Sequence, residues 1–128
     1  LLDRIDLQLQ VSRTKASELM ETQLAESSDV VRQRVEIAIA IQRERGCRNG
    51  FMNTAQTRRF CLLDRESKKF LLEAIKFNNL SGRVKDRLCR TARTIADLEG
   101  REQIVLSDLC EAMEYRAFDR FSASLDLA

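Results

Sequence analysis

Ser81-Gly82-Arg83-Val84-Lys85-Asp86-Arg87-Leu88-Cys89-Arg90-Thr91-Ala92-Arg93-Thr94-Ile95-Ala96-Asp97-Leu98-Glu99-Gly100 has the signals of one long amphipathic helix. Ser81 offers an oxygen to the orphan amides of a first turn, and Gly100 is the residue type that ends helices in left-handed backbone. Between them Val84, Leu88, Ala92 and Ile95 recur at helical spacing, an apolar stripe that needs a packing partner. Arg83, Arg87 and Arg90 stand four and three apart, so at ~100° per residue they share a narrow second face, with Arg93 beside them. Guanidinium forks match phosphate oxygens in shape and charge. A solvated basic face, partly neutralised by Asp86 and Asp97, satisfies the same spacing.

Outward from this segment the chain reads as more helix. Downstream, Ser107 is expected to cap a last helix with Leu109, Ala112 and Met113 turned inward. Upstream, Asp64 reads as the N-cap of a helix in which Phe70, Leu71, Ala74, Ile75 and Phe77 face a core and which Asn78-Asn79 closes. Asn53 to Phe60 suits a short helix. Glu26-Ser27-Ser28-Asp29 caps a longer one, from about Asp29 to Arg45, with Val31, Val35, Ala38 and Ile39 on one side and Gly46 at its end. Ala16, Leu19, Met20 and Gln23-Leu24 suggest another short helix. Only Asp6 to Val11 has the period of a strand, Leu7, Leu9 and Val11 alternating with Gln8 and Gln10. The expected fold is mainly α: a helical bundle of about five helices preceded by one short strand.

Composition agrees with that expectation. The 128 residues include no Pro and 4 Gly, with 33% charged and 44% hydrophobic, the profile of a helical globular chain and not of a linker. Lys and Arg total 22 against 20 Asp and Glu, so a net charge of +2 makes no global case for nucleic acid, and any basic patch is local. Cys47, Cys61, Cys89 and Cys110 form no Cys-x-x-Cys pair and no histidine is present to complete a mixed zinc site, so they read as small core hydrophobes in a reducing compartment. No apolar run of membrane-spanning length and no signal peptide occurs, and a cytoplasmic protein is expected. Gly46, Gly50, Gly82 and Gly100 are not followed by Lys, so no P-loop forms, and no apolar strand ends in the acidic pair that holds magnesium. This chain alone is therefore expected neither to hydrolyse ATP nor to hold it tightly.

The first residues, Leu1-Leu2-Asp3-Arg4-Ile5-Asp6, place an arginine inside an apolar-acidic phrase. Together with the Ser81–Gly100 string, whose Arg93-Thr94-Ile95-Ala96-Asp97-Leu98 is its most specific part, and with Glu111-Ala112-Met113-Glu114-Tyr115-Arg116, this phrase resembles the C-terminal part of magnesium-chelatase-like AAA+ ATPases. Within them the likeness is to the ComM/YifB competence branch. It covers residues 1–11 and about 60–120. Lys85-Asp86 and Cys89-Arg90 depart from that branch, where an aromatic residue followed by a polar one, and a Leu-Lys pair, are common.

The resemblance implies that residues 1–13 end an AAA+ core and that 14–128 form a C-terminal helical lid domain. Arg4 would be an arginine finger acting in trans on a neighbouring subunit's nucleotide. Arg83 would be the sensor 2 arginine of the lid, with Arg87 and Arg90 as further nucleotide-binding candidates. It also implies ATP and Mg2+ in the full-length protein with none bound to this fragment, a ring of neighbouring subunits expected to be a hexamer, and either DNA, which the competence-like phrases favour, or a porphyrin receiving magnesium as what the motor acts on. Two other readings fit the residues: a free-standing helical nucleic-acid-binding module using the arginine row, and a protein-interaction bundle that meets acidic partners. For Tyr115 and Arg116 packing and a surface pair suffice.

Overall fold

Most helices in the computed structural model, which describes residues 4–21 and 24–116, start where a short polar side chain can take a free amide. After a five-residue helix α1, Ala16–Met20, the Ser27 hydroxyl accepts from Val30 N–H to open α2, Ser28–Arg45. Asn53 accepts from Gln56 N–H at the head of α3, Thr54–Phe60, and Gln56 returns a bond to Asn53 N–H. Asp64 accepts from Ser67 N–H to start α4, Arg65–Asn78. Ser81 accepts from Val84 N–H to start α5, Gly82–Leu98, and α6 spans Leu106–Glu114. Each such cap satisfies a donor that the helix itself cannot, worth ~1 kcal/mol.

Two helices end in the same way. Gly46, at φ 77°, and Gly100, at φ 67°, take left-handed backbone. After α5, Gly100 N–H donates to Asp97 O at 3.1 Å and Arg101 N–H to Ala96 O at 2.8 Å, the paired bonds of a Schellman ending. A side chain at either glycine would be strained there.

The core is organised around α5. Leu88, Cys89, Ala92 and Ala96 are buried on it and meet Met52, Cys61, Leu71, Ile104, Leu109 and Ala112. Ala92 and Ala96 are 0% exposed, and their small size lets α6 and α2 approach closely. Leu63 and Ile104 form one isolated parallel bridge, with Ile104 N–H donating to Leu62 O at 2.8 Å, which ties the α3–α4 loop to the α5–α6 loop.

The structure corrects several expectations. Asp6 to Val11 is not a strand among the described residues. Gln8 N–H bonds to Tyr115 O at 2.7 Å, Leu7, Leu9 and Val11 are exposed, and no strand among the described residues pairs with this segment. Ser107 is not a cap: α6 starts one residue earlier, and Asp108 accepts from Val105 N–H at 3.0 Å. Val31, Val35 and Phe77 are exposed rather than core, since the outer half of α2 and the last turn of α4 extend past the elements that cover α5. Six α-helices stand among the described residues, one more than the expected bundle. Leu1, Leu2, Asp3 and Gln23 lie outside the described residues. No helix among the described residues is long and apolar enough to cross a membrane.

Candidate functional site

The Ser81 cap fixes the first turn of α5 at the edge of an open groove of about 600 Å³. Arg58 from α3 and Arg83, Lys85 and Arg90 from α5 line it, with Asp86 as the acid among them. Asp86 is already engaged: Lys85 Nζ stands 2.9 Å from one oxygen, and Thr54 Oγ1 donates to the other at 3.0 Å. Burial works against its charged form, but hydrogen bonds from Lys85 and Thr54 and the attraction of Lys85 and Arg90 hold its pKa below the ordinary carboxylate value. Arg90 Nη1 donates to Met52 O at 2.9 Å, which fixes its guanidinium at the edge of the groove. Arg83 and Arg58 are exposed and make no ion pair or hydrogen bond with another described residue. The result is a concave cationic surface at the N-terminal end of a 17-residue helix, whose dipole adds partial positive charge. That chemistry favours an anion with several oxygens.

One helical turn on, the arginines change character. Arg87 Nε lies 3.4 Å from Asp6 Oδ1, and its side chain is 17% exposed. Arg87 and Asp6 line a second cavity, of about 380 Å³, beneath the extended segment that carries Leu7 and Leu9. Arg116, buried, donates from Nη1 to Ile5 O at 3.3 Å, and Tyr115 O receives Gln8 N–H. Tyr115 and Arg116 thus hold the segment around Ile5 and Gln8, a role that spacing did not suggest.

Arg93 does not belong to the outward row. It is 1% exposed, its Nε donates to Asp97 Oδ1 at 3.0 Å, and its two terminal nitrogens donate to the carbonyls of Arg101 and Glu102. Asp97, 0% exposed, also receives both terminal nitrogens of Arg45, at 2.6 and 3.0 Å, and Asn49 Nδ2 at 2.7 Å. The hydrogen bond and the attraction of Asp97 raise the Arg45 pKa further, against burial. A second acid, Asp108, is buried against Arg101 and caps α6. These are supports of the domain, not a solvent-facing charge pattern.

Arg83 and Arg90 therefore share the groove, Arg87 and Arg90 share the second cavity, and Arg4 is exposed just before the tethered residues 5–8 and lines neither. Sequence reasoning missed Arg58 and gave Lys85 no part in the site. Arg58 comes from another helix, and only the docking of α3 against α5 brings it there. Cys61 and Cys89 are buried as expected, Cys47 is half-buried and Cys110 is exposed. Burial pushes the Cys61 thiol up to about 12 and Cys89 to about 11.

The sequence that builds this helical domain matches a known family. Residues 25–116 fit the C-terminal domain of magnesium chelatase subunit ChlI, and the chain belongs to that family. It is 37% identical over 126 residues to competence protein ComM of Haemophilus influenzae, across 97% of this chain and 25% of that protein. It is 37% identical over 121 residues to YifB of Escherichia coli, across 93% of this chain and 24% of that protein. To YifB of Salmonella typhimurium it is 35% identical, again across 93% and 24%. The chain spans about a quarter of the length of these relatives.

Proposed function

We propose that this chain is the C-terminal lid of a ring-forming, ATP-driven motor of the AAA+ class, with residues 1–13 closing the nucleotide-binding core and 14–128 forming the lid. The observation that carries the reading is Arg83: an exposed guanidinium without an internal partner among the described residues, held at the head of α5 in a groove with Arg58, Lys85 and Arg90. The donor set suits phosphate. Guanidinium and ammonium groups at a helix N-terminus supply charge and hydrogen bonds to phosphate oxygens. Magnesium is a different matter, because no group of three or more His, Cys, Asp or Glu that could hold a metal ion occurs among the described residues. The reading gives this chain phosphate contacts and assigns the metal ligands to another part of the protein.

When bound, ATP supplies the phosphoryl group whose transfer to water drives such a motor. Arg83 acts as sensor 2, meeting phosphate from the lid side, so that a change of charge there is felt through the whole of α5 and the core packed on it. Arg90 contributes charge to the same groove. Arg4 acts as an arginine finger toward a neighbouring subunit, where a fixed cation opposite developing negative charge is worth about 10³–10⁵ in rate. The likeness to the competence branch supports DNA as what the motor acts on, a hexameric ring as its form, and the cytoplasm as its place. A free-standing nucleic-acid module is less well supported, because Arg93 is buried and Arg87 is engaged with Asp6, so the expected four-arginine row is not presented to a backbone.

The test is Arg4→Ala in the full-length protein. Turnover of ATP is expected to vanish while ATP binding persists, and normal turnover in this variant would refute the proposal.

A further inference from the structure

The first described residues are fastened to the lid by three contacts of different kinds. Arg87 on α5 pairs with Asp6, Gln8 N–H bonds to Tyr115 O just past α6, and the buried Arg116 guanidinium donates to Ile5 O. Gln8 is itself buried, though the residues on either side of it are exposed. The strap therefore has one inward side chain and three tethers within four residues, which holds its position on α5 without a sheet. Arg4 stands immediately before this fastened stretch, and Arg83 stands one turn before Arg87 on the same helix face.

From this we infer that Arg87 is a positioning residue: its pair with Asp6 sets where Arg4 stands relative to the lid, and it does not itself contact phosphate. The inference rests on the proposed function for its consequence in turnover, but its structural part stands alone. An arginine on the Arg83 face whose Nε is directed to a carboxylate on the strap couples the two ends of the site mechanically. Lid movement at α5 then carries the strap, and Arg4 with it.

Two readouts test it. In the 128-residue chain, amide hydrogen exchange at Gln8 reports the strap directly. Asp6→Ala, a change at an exposed position that leaves the core untouched, is expected to speed that exchange about two- to fivefold, the range for an exposed ion pair. Arg87→Glu is expected to speed it more, and Arg87→Glu combined with Asp6→Arg to restore protection. Unchanged protection in both single variants, or no recovery in the double variant, overturns the tether.

In the full-length protein, Arg87→Glu is expected to lower kcat for ATP with little change in KM, and the reversed pair to recover kcat. Loss of nucleotide affinity that the reversed pair fails to recover would make Arg87 a phosphate ligand and overturn the inference. If Arg4→Ala leaves turnover normal while Gln8 exchange behaves as stated, the proposed function fails and the tether survives.

Discussion

Arg83 and Arg93 are the same residue type on the same helix, and they have opposite fates. Arg83 faces water in a groove with other cations, while Arg93 is 1% exposed and gives its donors to Asp97 and two backbone carbonyls. What separates them is what covers α5 along its length. Near its start α3 and the turn at Met52 approach and leave Arg83 exposed. Near its end α2 brings Arg45, the turn Asn49–Phe51 brings an amide, and the α5–α6 loop folds back with its carbonyls. Arg93 lies on the buried face of this helix with Cys89 and Ala96, and Arg83 lies off it, so angle and covering neighbours together set each arginine's role.

That contrast can be broken from either end. The largest effect is expected on the covered side: Asp97→Ala leaves the buried Arg93 and the half-buried Arg45 around an absent carboxylate, a loss of about 3–5 kcal/mol. Urea unfolding of the 128-residue chain measures it, and a loss under 1 kcal/mol would mean the cluster is not a support. On the open side, Arg83→Ala in the full-length protein is expected to slow ATP turnover by about 10²-fold, of the size found for a lost charge-stabilising donor, with the melting temperature unmoved. A fall in melting temperature matching that of Asp97→Ala would erase the distinction between the two ends.

A smaller change sharpens it. Ser81→Ala removes the cap that fixes the first turn of α5 and should cost ~1 kcal/mol. It should also weaken the binding of polyphosphate to the groove if the turn's geometry matters there, a difference that isothermal titration would show. A last effect, present only at alkaline pH, comes from the buried thiols Cys61 and Cys89. Cys61 and Cys89 have folded pKa values of about 12 and about 11, above the ordinary 9.0. In the unfolded chain they lose protons first, so their contribution is intact below about pH 9 and stability falls as pH rises from there toward about 11–12. Urea midpoints at pH 8 and pH 10 should diverge more in the native chain than in Cys61→Ala/Cys89→Ala. Equal divergence would show that the thiols are not responsible.

Local chemistry made much of the fold readable. Asn53, Asp64 and Ser81 cap the helices that were expected to follow them, and Gly46 and Gly100 end theirs, because capping and left-handed backbone depend on neighbours within four residues. The inward placement of Leu109 and Ala112 followed from period alone. The strand at Asp6 to Val11 was misread because alternation reports a two-sided segment and says nothing of whether a partner strand exists. Arg93 was misplaced for a related reason. Hydrophobic periodicity assigns every charged residue to water, whereas Arg93 is buried with its donors met by Asp97 one turn on and by the carbonyls of Arg101 and Glu102. Arg83 was legible as an exposed helix-start arginine, whereas Arg58, the cation opposite it, depends on how α3 docks.

Asp97 also governs how the domain comes together. Its donors arise at positions 45, 49 and 93, so its carboxylate is satisfied only after the two halves of the chain have met. A shortened chain beginning at Thr54 keeps most of the apolar core but strands that carboxylate with one side-chain donor. That carboxylate thus ties α2 and the Asn49–Phe51 turn to α5 through side chains far apart in sequence.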